Sequence, residues 1–203
     1  MELWNFVVRT LFPERETQKR VREADVDALR LLIHPTQTPL GSIEGTVLLS
    51  YKDPLVHASI VETKFYDNKK AAALLGAALH EYLLEASTEG LPIVLIPLPL
   101  STKRMRERGY NQVERVCTEA IKDLPNVSID TALLVRTKHT APQTSLKRKE
   151  RFQNMKDAFT RTAPLLDGHL YILVDDVMTT GATLTAAAHV FPTTTLQVLA
   201  LSR

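Results

Sequence analysis

The segment Tyr171–Thr183, YILVDDVMTTGAT, constrains this chain more than any other stretch. An apolar run meets two acids, then a turn of small and hydroxylated residues, and LTAAAHV continues with helical character. Tyr171–Val174 has the unbroken apolar character of a strand buried on both faces of a parallel sheet. In open α/β folds such a strand delivers its following turn to the edge where ligands bind. Asp175 and Asp176 stand just past that edge as paired acceptors, suited to the vicinal hydroxyls of a ribose. The same pair can hold the hydration shell of Mg²⁺, which takes a few carboxylates with waters and substrate phosphates. Through Val177, Met178, Thr179, Thr180, Gly181, Ala182 and Thr183, small side chains let backbone amides approach an anion closely. Gly181 tolerates unusual dihedrals and the threonine hydroxyls donate. A helix starting here adds its N-terminal amides and dipole. Taken singly, the two acids are a strand-end turn and Thr183 a helix cap; the run as a whole fits phosphate plus ribose. It contains neither G-x-x-x-x-G-K-[ST] nor G-x-G-x-x-G, so those phosphate binders are poor alternatives.

Elsewhere strands and helices alternate. GTVLLSY reads as a strand, Asp53-Pro54 as a helix start, and LVHASIVETKF as that helix. Tyr66-Asp67-Asn68 offers a cap before KKAAALLGAALHEYLLEA, a strong helix ending near Gly90. LPIVLIPLPL is a second buried strand, bounded by prolines. NQVERVCTEAIKDL places Val113, Val116, Cys117, Ala120, Ile121 and Leu124 on one helical stripe, which makes Cys117 a small core residue rather than a nucleophile. TALLVRT, HLYILV and LQVLALS are further strands, GATLTAAAHVF a helix closed by Pro192, and Lys138–Lys156 a polar, basic loop leading into a helix. Residues 1–45 read as a charged helical extension or hood, broken at His34-Pro35 and Thr38-Pro39; residues 46–203 read as one α/β domain with a mostly parallel sheet covered on both faces.

With 44% hydrophobic and 24% charged residues the chain can bury a core, and no apolar run approaches the about 20 residues that span a bilayer. Glu2 and the lack of a small-residue cleavage site argue against a signal peptide, so a cytoplasmic location without membrane contact is expected. The one cysteine excludes internal disulfides and a cysteine-cluster zinc site. A net charge of +2 is too small to argue for nucleic acid, but its distribution is uneven. Lys103, Arg104, Arg106 and Arg108 crowd one segment, and Lys147, Arg148, Lys149 and Arg151 another. Both suit a polyanion.

YILVDDVMTTGAT resembles the phosphoribosyl pyrophosphate (PRPP) signature of type I phosphoribosyltransferases. The likeness implies that fold, with Asp175 and Asp176 on the ribose hydroxyls and Thr179–Thr183 around the 5′-phosphate. Three further stretches are similar to the ComF family of competence-associated phosphoribosyltransferase-like proteins: IPLPLSTKRMRERGYNQ, RTKHTAPQTSLKRKERFQNMKDAF and ETKFYDNKKAAALLGAAL. Many members of that family begin with a CxxC zinc-binding segment, which no residue before Cys117 can supply here. By resemblance Leu98, Pro99, Leu100 and Ser101 form a pyrophosphate loop. Pro97 and Pro99 lack N–H donors, so Leu98, Leu100 and Ser101 must supply the amides. Arg104 and Arg108 either neutralise pyrophosphate or end a solvated basic helix. Lys138, Lys147, Arg148 and Arg151 belong to a segment with the polarity of a mobile lid, for which a surface loop or nucleic-acid contact is the alternative.

The resemblance implies Mg²⁺-dependent transfer of phosphoribosyl from PRPP to an unidentified acceptor, with pyrophosphate released. An alternative is a non-catalytic PRPP-binding adaptor in DNA uptake that contacts single-stranded DNA through its basic segments. A nucleobase salvage enzyme is a third reading, and a homodimer is compatible with each.

Overall fold

The computed structural model describes residues 14–41, 43–86, 90–137, 158–192 and 196–203. Helix α1 (Glu16–Glu23) leads into a 3-10 helix (Val26–Leu32), so the expected continuous helix is broken at Ala24-Asp25. Asp25 caps the second piece by accepting the Asp27 amide at 3.2 Å. Strand β1 (Thr36–Leu40) then pairs antiparallel with β2 (Ile43–Leu49). The breaks at His34-Pro35 and Thr38-Pro39 were expected to give a turn or linker. Thr36–Leu40 form an edge strand instead, and an edge is where a proline such as Pro39 is tolerated. The sheet therefore takes in residues from 36 onward.

Helix α2 (Pro54–Tyr66) opens with Asp53 accepting the Leu55 and Val56 amides at 2.8 and 3.1 Å, and with Pro54 in the first turn. Asn68 caps α3 (Lys69–Ala86) in the same way, through the Lys70 and Ala71 amides. Next come β3 (Ile93–Pro97), the short helices α4 (Thr102–Arg108) and α5 (Gln112–Ala120), and β4 (Val127–Ile129). Strands β5 (Leu134–Arg136) and β6 (Phe159–Arg161) form an antiparallel ribbon of their own. The chain then adds β7 (Leu170–Val177), α6 (Ala182–Ala188) and β8 (Leu196–Ser202).

The main sheet runs β1-β2-β8-β7-β3-β4, parallel except for β1. TALLVRT was expected among its strands. It is replaced there by Val127–Ile129, a strand too short to show a period, while Leu134–Arg136 leaves for the ribbon. One face of the sheet packs on α1, α2, α3 and α5 through residues such as Val21, Val56, Leu79, Val113 and Cys117. The other is covered by α6 and the ribbon through Leu184, Ala187, Leu134 and Phe159. The expected stripe on α5 is buried at Val113, Val116, Cys117 and Ala120. No described helix is long and apolar enough to cross a membrane.

Two crossovers place the site. From β7 the chain passes through α6 on one face to β8; from β3 it passes through the exposed α4 and then α5, whose buried residues join the other face, to β4. Strands β3 and β7 are neighbours, with Pro97 level with Val174. Their following loops depart in opposite directions and leave a crevice at their C-terminal ends, the topological switch point where open α/β sheets bind ligands.

Candidate functional site

Asp175 and Asp176 were expected just past the strand; they lie within the last residues of β7, whose pairing with β8 carries on to Val177 at this crevice. Asp176 is 6% exposed. Its Oδ1 accepts the Val177 amide at 2.8 Å, and its Oδ2 accepts Gln112 Nε2 at 2.9 Å and faces Lys64 Nζ at 3.3 Å. Asp175 is half-buried, and its Oδ1 accepts the Asp176 amide at 2.9 Å. Burial, and then the negative charge of Asp176, push its carboxyl up to about 7. A carboxyl so placed gains from a cation. Two acids with this character fit the Mg²⁺ expected of them, since that ion draws its other ligands from water and phosphate. Among the described residues no group of three or more His, Cys, Asp or Glu could hold a metal by itself.

Beyond Asp176 the turn reaches Thr179 and Thr180, both exposed, and buried Gly181, which adopts φ +72°. Its dihedral is one that only glycine takes without strain, and an added Cβ would also fall 2.1 Å from Leu40 Cδ2 of β1. The carbonyl of Gly181 accepts the Thr185 hydroxyl at 2.9 Å, and the Met178 amide donates to Ser202 at 2.9 Å. Strand β8 thus fixes the turn from one side and α6 from the other.

Positive charge gathers around the two acids. Arg108 is half-buried at the end of α4. Burial lowers its pKa, the charge of Asp176 raises it, and that of Arg104 lowers it. Arg136, at the end of β5, is lowered by burial and by Arg104 and raised by Asp175. Its guanidinium lies 5.4 Å from the centre of the Phe159 ring on the paired strand. Arg104, Arg108, Arg136 and Lys64 therefore share one field with the two acids, a surplus of cations suited to phosphates.

The element Gly109-Tyr110-Asn111-Gln112 assembles this part of the site residue by residue. Gly109, at φ +78°, ends α4. Tyr110 donates its hydroxyl proton to Thr63 O at 2.8 Å and accepts the Asp67 amide at 2.9 Å, which clamps the end of α2. Asn111 caps α5 through the Val113 amide at 3.0 Å and donates to Leu98 O at 3.1 Å. Gln112 reaches Asp176. The end of α2 is tied from its other flank as well, because buried Glu62 accepts Arg15 at 3.0 Å through both oxygens, Thr17 at 2.7 Å and Asn68 at 3.2 Å. Burial pushes the Glu62 carboxyl up, but these hydrogen bonds outweigh it and hold it below its usual range.

Of the expected loop after β3, Leu98 requires correction. Its amide donates to Val174 O at 2.8 Å, so it extends the β3–β7 pairing and is not open to a ligand. Leu100 and Ser101 remain as amide donors beside Pro99, and the Ser101 hydroxyl caps α4 by accepting the Arg104 amide at 3.3 Å. Helix α4 buries none of its residues, and Arg104 lies on its exposed surface. Lys138, Lys147, Arg148 and Arg151 lie outside the described residues. Lys64, Gln112 and Arg136 were not singled out from sequence. A signal existed for each, since each falls inside a stretch that carries the family resemblance. A separate cavity of about 650 Å³, lined by Val94, Val127, Ser128, Leu133 and Tyr171 among others, adjoins the start of β7 and is apart from the acid pair.

Comparison with known proteins finds no matching family model. The chain is 34% identical over 156 residues to DNA utilization protein YhgH of Shigella flexneri, covering 74% of this chain and 66% of that one. It is 33% identical over 138 residues to the protein of the same name from Salmonella typhi, covering 66% and 60%. It is also 34% identical over 127 residues to Competence protein F of Haemophilus influenzae, covering 61% and 54%. These similarities support a relationship to the ComF family. The chain spans less than two thirds of the length of these curated relatives.

Proposed function

We propose that this chain binds PRPP at the β3–β7 crevice and transfers its phosphoribosyl group to an acceptor, releasing pyrophosphate. The observation that carries the reading is one juxtaposition: two carboxylates at the switch point run into the Thr179–Thr183 turn, while Lys64 meets Asp176, Arg108 is joined to it through Gln112, and Arg104 and Arg136 lie within electrostatic reach. A sugar bearing phosphate groups at both ends matches that combination of anion site, hydroxyl acceptors and cations. Asp175 and Asp176 accept from the ribose hydroxyls, and the turn's amides and threonine hydroxyls donate to the 5′-phosphate. The arginines offset the charge that grows on pyrophosphate as its bond to C1 breaks and the electron pair leaves with it. The acceptor's nucleophilic atom forms the new bond to C1 and gives up its proton to the departing pyrophosphate or to water. Mg²⁺, held through Asp175 and Asp176, would supply further charge neutralisation at the phosphates.

Calorimetric titration with PRPP and Mg²⁺ should give heat that Asp175→Asn/Asp176→Asn abolishes; a wild type without heat sinks the proposal. Pyrophosphate release across a panel of nucleobases then tests turnover and the salvage reading. A second reading, a PRPP-binding adaptor that meets single-stranded DNA, draws on the relatives' names and on α4, whose Lys103, Arg104 and Arg106 are exposed. Salt-dependent retention of single-stranded DNA, lost when Arg104 and Arg106 are reversed in charge, together with no pyrophosphate release, would favour it.

A further inference from the structure

Gln112 is 3% exposed at the first position of α5. Its Oε1 accepts Arg108 Nη1 at 2.7 Å, and its Nε2 donates to Asp176 Oδ2 at 2.9 Å. Arg108 ends α4, and Gly109 breaks the chain between the two helices, so the first bond spans separate elements. The second spans 64 residues of sequence. Chemistry fixes the direction of the amide. A guanidinium can only donate and an ionised carboxylate can only accept, so the group between them must accept at one end and donate at the other. Glutamine does this; asparagine is a methylene too short, and glutamate would set a second negative charge against Asp176. Lys64 takes the remaining flank of the same carboxylate oxygen. Gln112, Lys64 and the Val177 amide together occupy about three of the roughly four acceptor positions a carboxylate offers, which leaves one for a ligand hydroxyl.

We infer that Gln112 is a positioning residue that joins Arg108 to Asp176, so that the pyrophosphate and ribose ends of the substrate are read by one hydrogen-bonded unit. The inference rests on the PRPP reading for its ligand, whereas the link between the two charges stands on the geometry alone. Anion held by Arg108 draws the guanidinium toward itself, and the glutamine transmits that movement to the carboxylate facing the sugar. Neither half of the substrate is then bound independently of the other.

The side-chain amide signals of ¹⁵N-labelled full-length protein test the link without ligand. The Gln112 pair is identified by its loss in Gln112→Met. It should sit away from the solvent-exposed glutamines and move toward them in Asp176→Asn and in Arg108→Met. Calorimetry with inorganic pyrophosphate and, separately, ribose 5-phosphate tests the reading. Gln112→Met should weaken both by about tenfold, the loss expected for one charge-assisted hydrogen bond. Gln112→Glu, which keeps a partner for Arg108, should weaken ribose 5-phosphate more than pyrophosphate, and it serves as the second variant if the methionine chain does not fold. An amide pair indifferent to both substitutions, or a Gln112 variant that weakens only pyrophosphate, overturns the inference. If wild type binds neither half-ligand, the PRPP reading fails with it, while the amide signals still decide whether Gln112 links the two charges.

Discussion

Asp175 and Asp176 are neighbours in the chain with unlike surroundings. Asp176 is met by an ammonium, a side-chain amide and a backbone amide, and Asp175 by the amide of its neighbour. The Asp175 carboxyl, pushed up to about 7, binds its proton more tightly in the folded chain than in the unfolded one. As pH rises from the ordinary aspartate range through 7, this residue therefore subtracts stability, and the loss is complete above 7. Asp175→Asn should raise the melting temperature of ligand-free protein at pH 8 and leave it nearly unchanged at pH 4. The gain should be roughly 1–3 kcal/mol, or about 2–4 °C per kcal/mol for a chain of this length. Melting curves at the two pH values check it, and a drop at pH 8 would contradict the assigned environment. The acid pair itself was legible in sequence because strand, acids and turn are contiguous. Lys64, Gln112 and Arg136 lay inside stretches that carry the family resemblance, but their place beside the acids was not legible, because it arises only when distant segments meet.

At the scale of elements, the turn between β7 and α6 depends on Gly181. Two causes resist a side chain there: the positive φ and the crowding by Leu40. Leu40 presents the end of a flexible side chain, which can move, whereas the backbone dihedral cannot relax without undoing the turn. Gly181→Ala should therefore cost about 1–2 kcal/mol and weaken PRPP, and removing the obstacle in Gly181→Ala/Leu40→Ala should not restore binding. Denaturant unfolding and calorimetry of both variants check this; recovery in the double variant would show that crowding, not the dihedral, is the cause. The long helices announced themselves through their caps, Asp53 and Asn68, and the buried strands through unbroken apolar runs. Strand β4 did not, since three residues carry no period, and β1 was hidden by a proline that the sheet edge accommodates.

At the scale of the molecule, helices on both faces enclose the sheet, and Cys117 lies fully buried in the larger core between the sheet, α3 and α5. Burial pushes its thiol well above the usual range. A disulfide reagent should therefore label it only when the whole fold opens, and bound PRPP should slow labelling in proportion to its occupancy. Rapid labelling of the native protein would show that this face of the sheet opens locally. The parallel order and the covering of both faces followed from the alternation of strands and helices. The position of the crevice did not, because it is set by which strand neighbours which.

Strand β8 is the last in sequence of the described strands, yet it holds the turn that every ligand reading needs. The Met178 amide donates to Ser202, and the Ser202 hydroxyl donates to the carbonyl of Asp176. A chain cut after α6 would keep both acids and every residue of the turn, yet lose the two hydrogen bonds that hold them in place.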